Sequence, residues 1–275
     1  MSIQPKGKKV TGTKKKDKIT WANSKAWKKA LTVNAGSGND VINFKKSKYK
    51  NKLNGQNGND TIYGGTKYDT IHGNSGNDKL YGYNGNDKIY GDSGKDTIYG
   101  GNNNDYINGG NDADKLYGQN GNDTIYAGKG NDYVDGGAGA DKIYGQYGTN
   151  TLKGGAGNDS IYAGTGTDKI WGGTGNDLID LVKGGKNTVY GEAGADRIVN
   201  IKGNSVVDGG ADNDTIIAVS GNNTLKGGDG NDSITSGTGN DFIEGGDGDD
   251  TIVATVGSNT ITGGTGNDHL YAGTE

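Results

Sequence analysis

The chain has no cysteine, one proline, one methionine and two phenylalanines in 275 residues. Without cysteine there is no disulfide staple, no thiol catalysis and no thiolate metal site. Hydrophobic residues make up 29% of the chain, too few for the layered core that a domain of this length normally buries. No window approaches the roughly 20 apolar residues of a membrane helix, so no membrane span is expected. The first residues run from Met1 through Pro5 straight into lysines and lack the apolar segment of a cleaved signal. If the chain is exported, another route is expected.

Glycine fills part of the gap, with 56 copies. Charge is unevenly placed. Residues 1–52 carry 15 lysines against Asp17 and Asp40, whereas the remainder carries 14 basic and 31 acidic residues. A compact body with that acidic excess repels itself unless cations bind.

A nine-residue period organises the acids. From Asp60 they recur at Asp69, Asp78, Asp87, Asp96, Asp105, Asp114, Asp123, Asp132 and Asp141, then, past Asn150, at Asp159, Asp168 and Asp177. After one inserted residue the series continues at Asn187, Asp196, Ser205, Asp214, Asn223, Asp232, Asp241, Asp250, Asn259 and Asp268. Two residues after every one of these positions stands an aliphatic side chain, from Ile62 to Leu270. A glycine-rich turn, an acid and a polar–aliphatic–polar triplet predict a three-residue strand with its middle side chain inward. So short a strand is stable only when stacked on copies of itself.

"GGAGNDSIY" (Gly154–Tyr162), "GGTGNDLID" (Gly172–Asp180) and "GGDGNDSIT" (Gly227–Thr235) carry the full pattern. It resembles the RTX calcium-binding nonapeptide G-G-x-G-x-D-x-U-x, over about residues 35–275. The resemblance implies an all-β, right-handed parallel β-roll with two nonapeptides per coil and calcium in the edge turns. It also implies aspartate ligands from turns 18 residues apart, completed by backbone carbonyls. Calcium's preference for six to eight hard oxygens agrees with that donor set. Residues 1–34 are expected to form a Lys-rich cap or extension, with Trp21 and Trp27 covering the first coil.

The two series of alternate turns differ. One is acidic throughout: Asp69, Asp87, Asp105, Asp123, Asp141, Asp159, Asp177, Asp196, Asp214, Asp232, Asp250 and Asp268. The other begins with Asp60, Asp78, Asp96, Asp114 and Asp132, then becomes mostly neutral at Asn150, Asn187, Ser205, Asn223 and Asn259, with Asp168 and Asp241 between them. Consecutive acids imply about 15 calcium ions, few of them on the second edge after about residue 145. Apolar residues enter the neutral turns, and strands such as Ile216–Val219 are expected to run longer there.

The function implied is a calcium-dependent extracellular structural scaffold, secreted by a bacterium through type I secretion and folding on metal binding. End-to-end self-association into filaments or a surface layer is a further expectation. Two other readings stay open: an alginate-type carbohydrate-binding accessory module, with Lys14–Lys16 holding an acidic glycan, and an ice-binding adhesin region. The ladder that would serve ice reads Thr66, Asn84, Asn102, Asn120, Ala138, Ala156 and Thr174, which is interrupted. Lysines without arginine or interleaved aromatics argue against sequence-specific nucleic-acid binding.

Tyrosines at 18-residue spacing (Tyr63, Tyr81, Tyr99, Tyr117, and Tyr126, Tyr144, Tyr162) are expected to stack outward. "GDSG" at Gly91–Gly94 coincides with turn positions of the repeat, and His72 and His269 fall on outward strand positions. No catalytic triad or zinc pair is implied, so the chain is not expected to be an enzyme.

Overall fold

The computed structural model describes residues 9–20, 29–181 and 183–273. The described residues form 29 strands and no helix. They divide into two compact units, Met1–Ala138 and Gly139–Glu275.

In the first unit, successive strands alternate between two parallel sheets. Lys79–Asn84 pairs with Thr97–Asn102, and that strand with Lys115–Asn120. In the other sheet Lys88–Ser93 pairs with Tyr106–Asn111, and that strand with Thr124–Lys129. Partners are 18 residues apart and in register, so each coil consists of two nonapeptides. The inward column of each sheet is aliphatic: Ile62, Leu80, Ile98 and Leu116 in one, Ile71, Ile89, Ile107 and Ile125 in the other, all fully buried. Each such side chain contributes roughly 1.5–3 kcal/mol. The next inward position is glycine or alanine, which keeps the two sheets close.

The period of nine has a backbone cause. In most turns two residues, four and two positions before the acid, take positive φ: Asn74 (75°) and Gly76 (125°) before Asp78 are one example. Glycine is free to adopt this region, and Asn and Asp tolerate it. Asn103 and Asp112 fill such positions at φ 76°.

The second unit repeats the plan. Thr151–Ala156 pairs with Lys169–Thr174, then Thr188–Ala193, Val206–Ala211, Thr224–Asp229 and Phe242–Asp247 follow in parallel. The inserted residue is absorbed in the turn before Asn187, where Gly184 and Gly185 have φ 75° and 124° and the amide of Gly184 donates to the carbonyl of Leu181.

Most strands are six residues long, not three, because the glycine pair after the triplet continues the parallel ladder. Nor do the neutral turns lengthen them: Thr215–Ser220 has the same six residues as Thr97–Asn102. The ladder also starts early. Lys9–Thr11 pairs with Thr32–Ser37 and Lys18–Thr20 with Val41–Asn43, so a coil already lies inside the Lys-rich segment 1–34. Trp21 and Trp27 lie outside the described residues.

Candidate metal centre

Every acid of the series precedes a strand and closes a turn, so from Asp60 to Asp250 its side chain is drawn under the turn and buried; Asp268 is half-buried. In the first unit the amide of Asp60 donates to Oδ1 of Asp78 at 2.6 Å, Asp78 to Asp96 at 2.7 Å, Asp96 to Asp114 at 2.8 Å and Asp114 to Asp132 at 2.8 Å. The other edge repeats this from Asp69 to Asp87, Asp87 to Asp105 and Asp105 to Asp123 at 2.6–2.7 Å. In the second unit one edge is linked from Asp141 through Asp159, Asp177, Asp196, Asp214, Asp232 and Asp250 to Asp268, at 2.7–3.0 Å. The spacing of nine thus brings together each acid with its counterpart one coil away. Asp168 accepts from Asn150, and Asp241 from Asn223, each at 2.7 Å.

Only one carboxylate oxygen is used in this way. Oδ2 of Asp60, Asp78, Asp87, Asp96, Asp105, Asp114, Asp159, Asp168, Asp177, Asp196, Asp214, Asp232, Asp241 and Asp250 is buried without a hydrogen-bond partner. A buried, unpaired anionic oxygen is costly. Accordingly burial, reinforced by neighbouring carboxylates, raises the pKa of Asp87 to about 8, Asp105 to about 9, and Asp114 and Asp214 to about 8, against the lowering effect of the amide donors. Asp60 and Asp196 rise to about 7. Asp69 rises less, to about 6; its Oδ2 accepts from the amide of Gly65 at 2.7 Å.

Asp17 and Asp40 extend the second edge: the amide of Asp17 donates to Oδ1 of Asp40, and Asp40 to Asp60, at 2.6 and 2.7 Å. Spacings of 23 and 20 residues hid them from a search at nine. A second ladder was also missed. Where an Asn stands before the acid, it accepts in the opposite direction, as when the amide of Asn77 donates to Oδ1 of Asn59 at 2.8 Å and that of Lys95 to Oδ1 of Asn77 at 2.8 Å. The recurrent "ND" in the sequence was its signal.

The expected tyrosine stacking forms over Tyr63–Tyr117 and at Tyr144–Tyr162, while Tyr126 lies tilted against Tyr106 at 5.5 Å. Ring centroids are 5.0 Å apart for Tyr63–Tyr81 and Tyr81–Tyr99, 4.9 Å for Tyr99–Tyr117 and for Tyr144–Tyr162, all stacked. Each interior ring covers its neighbour's face, so the ladder offers edges and hydroxyls. His72 stacks on Tyr90 at 4.6 Å, and its Nδ1 lies 3.2 Å from Oδ2 of Asp92 in the "GDSG" turn.

Among the described residues no three His, Cys, Asp or Glu side chains converge. A cation here would draw on the shared aspartates and, for the rest, on turn carbonyls. That all-oxygen donor set, with orphaned anionic oxygens aligned along the coils, fits calcium and excludes a thiolate- or imidazole-based zinc site.

The model for the RTX calcium-binding nonapeptide repeat matches residues 54–89, 81–116, 108–143, 144–179, 183–200, 202–225, 208–243, 217–252 and 244–274. The chain belongs to the RTX calcium-binding nonapeptide repeat family. A solved structure with the same kind of fold is a hyperactive, Ca2+-dependent, β-helical antifreeze protein from an Antarctic bacterium. It is 22% identical, with a TM-score of 0.56 over 93% of this chain and 83% of that one. Among curated proteins no match was found. The RTX repeats here therefore sit on a parallel β-solenoid, and no helix of the described residues is long and apolar enough to cross a membrane.

Proposed function

We propose that the chain is a calcium-dependent structural scaffold that works outside the cell, its coils closed by calcium held between successive aspartates. The observation that carries this reading is the file of buried, unpaired Oδ2 atoms. Each is an anion whose cost a bound cation removes, so metal binding becomes folding energy. Consecutive acids within each unit give nine pairs in the first and seven in the second, consistent with about 15 ions. Extracellular modules of this type need about 0.1–1 mM calcium, a level found outside cells. Secretion in an unfolded state and end-to-end assembly belong to the same proposal. Equilibrium dialysis against calcium, combined with sedimentation, tests it. Uptake of about 15 ions with compaction supports the scaffold; uptake of one or two contradicts it.

A second reading, ice binding, is favoured by one observation. Nδ2 of Asn120 donates to Oδ1 of Asn102 at 2.9 Å and Nδ2 of Asn102 to Oδ1 of Asn84 at 2.7 Å, a regular exposed ladder on a calcium-type edge. Thermal hysteresis in calcium-loaded protein would distinguish it from a plain scaffold. The exposed Lys14–Lys16 keep an acidic glycan as the third candidate, tested by alginate binding with these lysines neutralised.

A further inference from the structure

The neutral turns are not simply acidic turns that have lost a ligand. At Asn223, in the second unit, Nδ2 donates to the carbonyl of Gly221 at 2.9 Å and to Oδ1 of Asp241 in the next coil at 3.1 Å. Asn51, in the first unit, does the same independently, with Nδ2 at 2.6 Å from the carbonyl of Tyr49 and 2.9 Å from Oδ1 of Asp69. In both cases one hydrogen-bond donor bridges the carbonyl two residues upstream and a carboxylate one coil away. Those are the two kinds of oxygen that a calcium ion between acidic turns would gather.

The same carbonyl position is satisfied at two further neutral turns by other donors. Ser205 Oγ donates to the carbonyl of Gly185 at 3.2 Å, and the amide of Asn259 to that of Gly257 at 3.1 Å. At Asn187 the side-chain nitrogen is buried without a partner; the carbonyl of its turn, that of Gly185, is the one Ser205 takes. At the turns of Asn51, Asn187, Asn223 and Asn259 a neutral donor therefore takes that carbonyl, whereas Asn150 donates its Nδ2 to the carbonyl of Gly145 at 3.1 Å.

We propose that Asn51 and Asn223 are built-in substitutes for calcium, which keep their turns closed when the metal is absent. This rests on the calcium reading above. A neutral N–H donor satisfies the two oxygens without bringing the charge that a bare carboxylate pair would need neutralised. In the second unit the consequence is polar: one edge closes only on calcium, while the opposite edge is held at its neutral turns without it. Withdrawal of calcium opens the acidic edge and leaves the neutral edge in place.

The test compares the full-length parent, Asn223→Asp and Asp96→Asn by calcium counting and by hydrogen exchange in excess chelator. Asn223→Asp places a second carboxylate beside Asp241, so one more calcium ion should bind per chain, and in chelator Thr224–Asp229 should lose protection. Asp96→Asn should bind at least one ion fewer and gain protection in chelator around Thr97–Asn102. If the parent binds calcium but Asn223→Asp takes up no additional ion, the substitution idea fails while the scaffold reading stands. If the parent binds none, both fail. Equal protection of the parent's acidic and neutral edges in chelator would also overturn the proposal.

Discussion

The amide of Asp78 donates to Oδ1 of Asp96, one coil further on, at 2.7 Å, and Oδ2 of Asp96 is buried with no partner. One oxygen therefore fixes the register between coils and the other is left for a cation. Removing the side chain should cost on both counts. Asp96→Ala leaves the Asp78 amide unpaired, a loss of about 1–3 kcal/mol in calcium-loaded protein, and lowers the ion count. Urea unfolding with calcium counting checks both; an unchanged midpoint and an unchanged count would remove the assigned role.

Protonation offers the metal-free chain a second way to neutralise the files. Burial raises the folded-state pKa of Asp87, Asp105, Asp114 and Asp214 to about 8–9 and that of Asp60 and Asp196 to about 7, above the unfolded value of about 3.9. Raised acids bind more protons when folded, so their contribution is complete below about pH 4 and is lost as pH climbs through about 7–9. In chelator, β-sheet signal is expected at acid pH and should fall towards neutral pH. Calcium should reverse the fall and release protons, measurable by pH-stat titration.

The aliphatic column carries the core almost alone. Ile98 is fully buried in a coil with few other apolar side chains. Ile98→Ala should cost about 2–5 kcal/mol, whereas outward Thr97→Ala should stay within about 0.5 kcal/mol. Denaturant titration of calcium-loaded variants separates the two.

Glycine matters most where left-handed backbone meets a neighbouring coil. Gly101 has φ 124°, and a Cβ there would collide with the carbonyl of Tyr83 in the preceding coil. Gly101→Ala should destabilise by more than about 1 kcal/mol. The same change in an open, right-handed turn would not, and thermal melts in calcium test the contrast.

Periodicity revealed the solenoid because one aliphatic and one acid per nine residues leave no other way to bury the chain. Ile62 to Leu270 and Asp60 to Asp268 were legible for that reason. Asp17 and Asp40 were not, since insertions of five and two residues break the count. Strand length was misjudged because glycine reads as a turn residue, although here the glycine pair pairs in the ladder. The donor role of Asn51 and Asn223 depends on which oxygens lie within 3 Å across a coil, information that spacing does not contain.

The central claim is that calcium neutralises the buried aspartate files and so folds the chain. Circular dichroism at neutral pH, on protein first stripped by chelator and then titrated with calcium, tests it most directly. The account requires a weak β-sheet signal in chelator, limited to what the neutral turns hold, and a cooperative gain at about 0.1–1 mM calcium. Full β-sheet signal already present in chelator at neutral pH, unchanged by calcium, would contradict it.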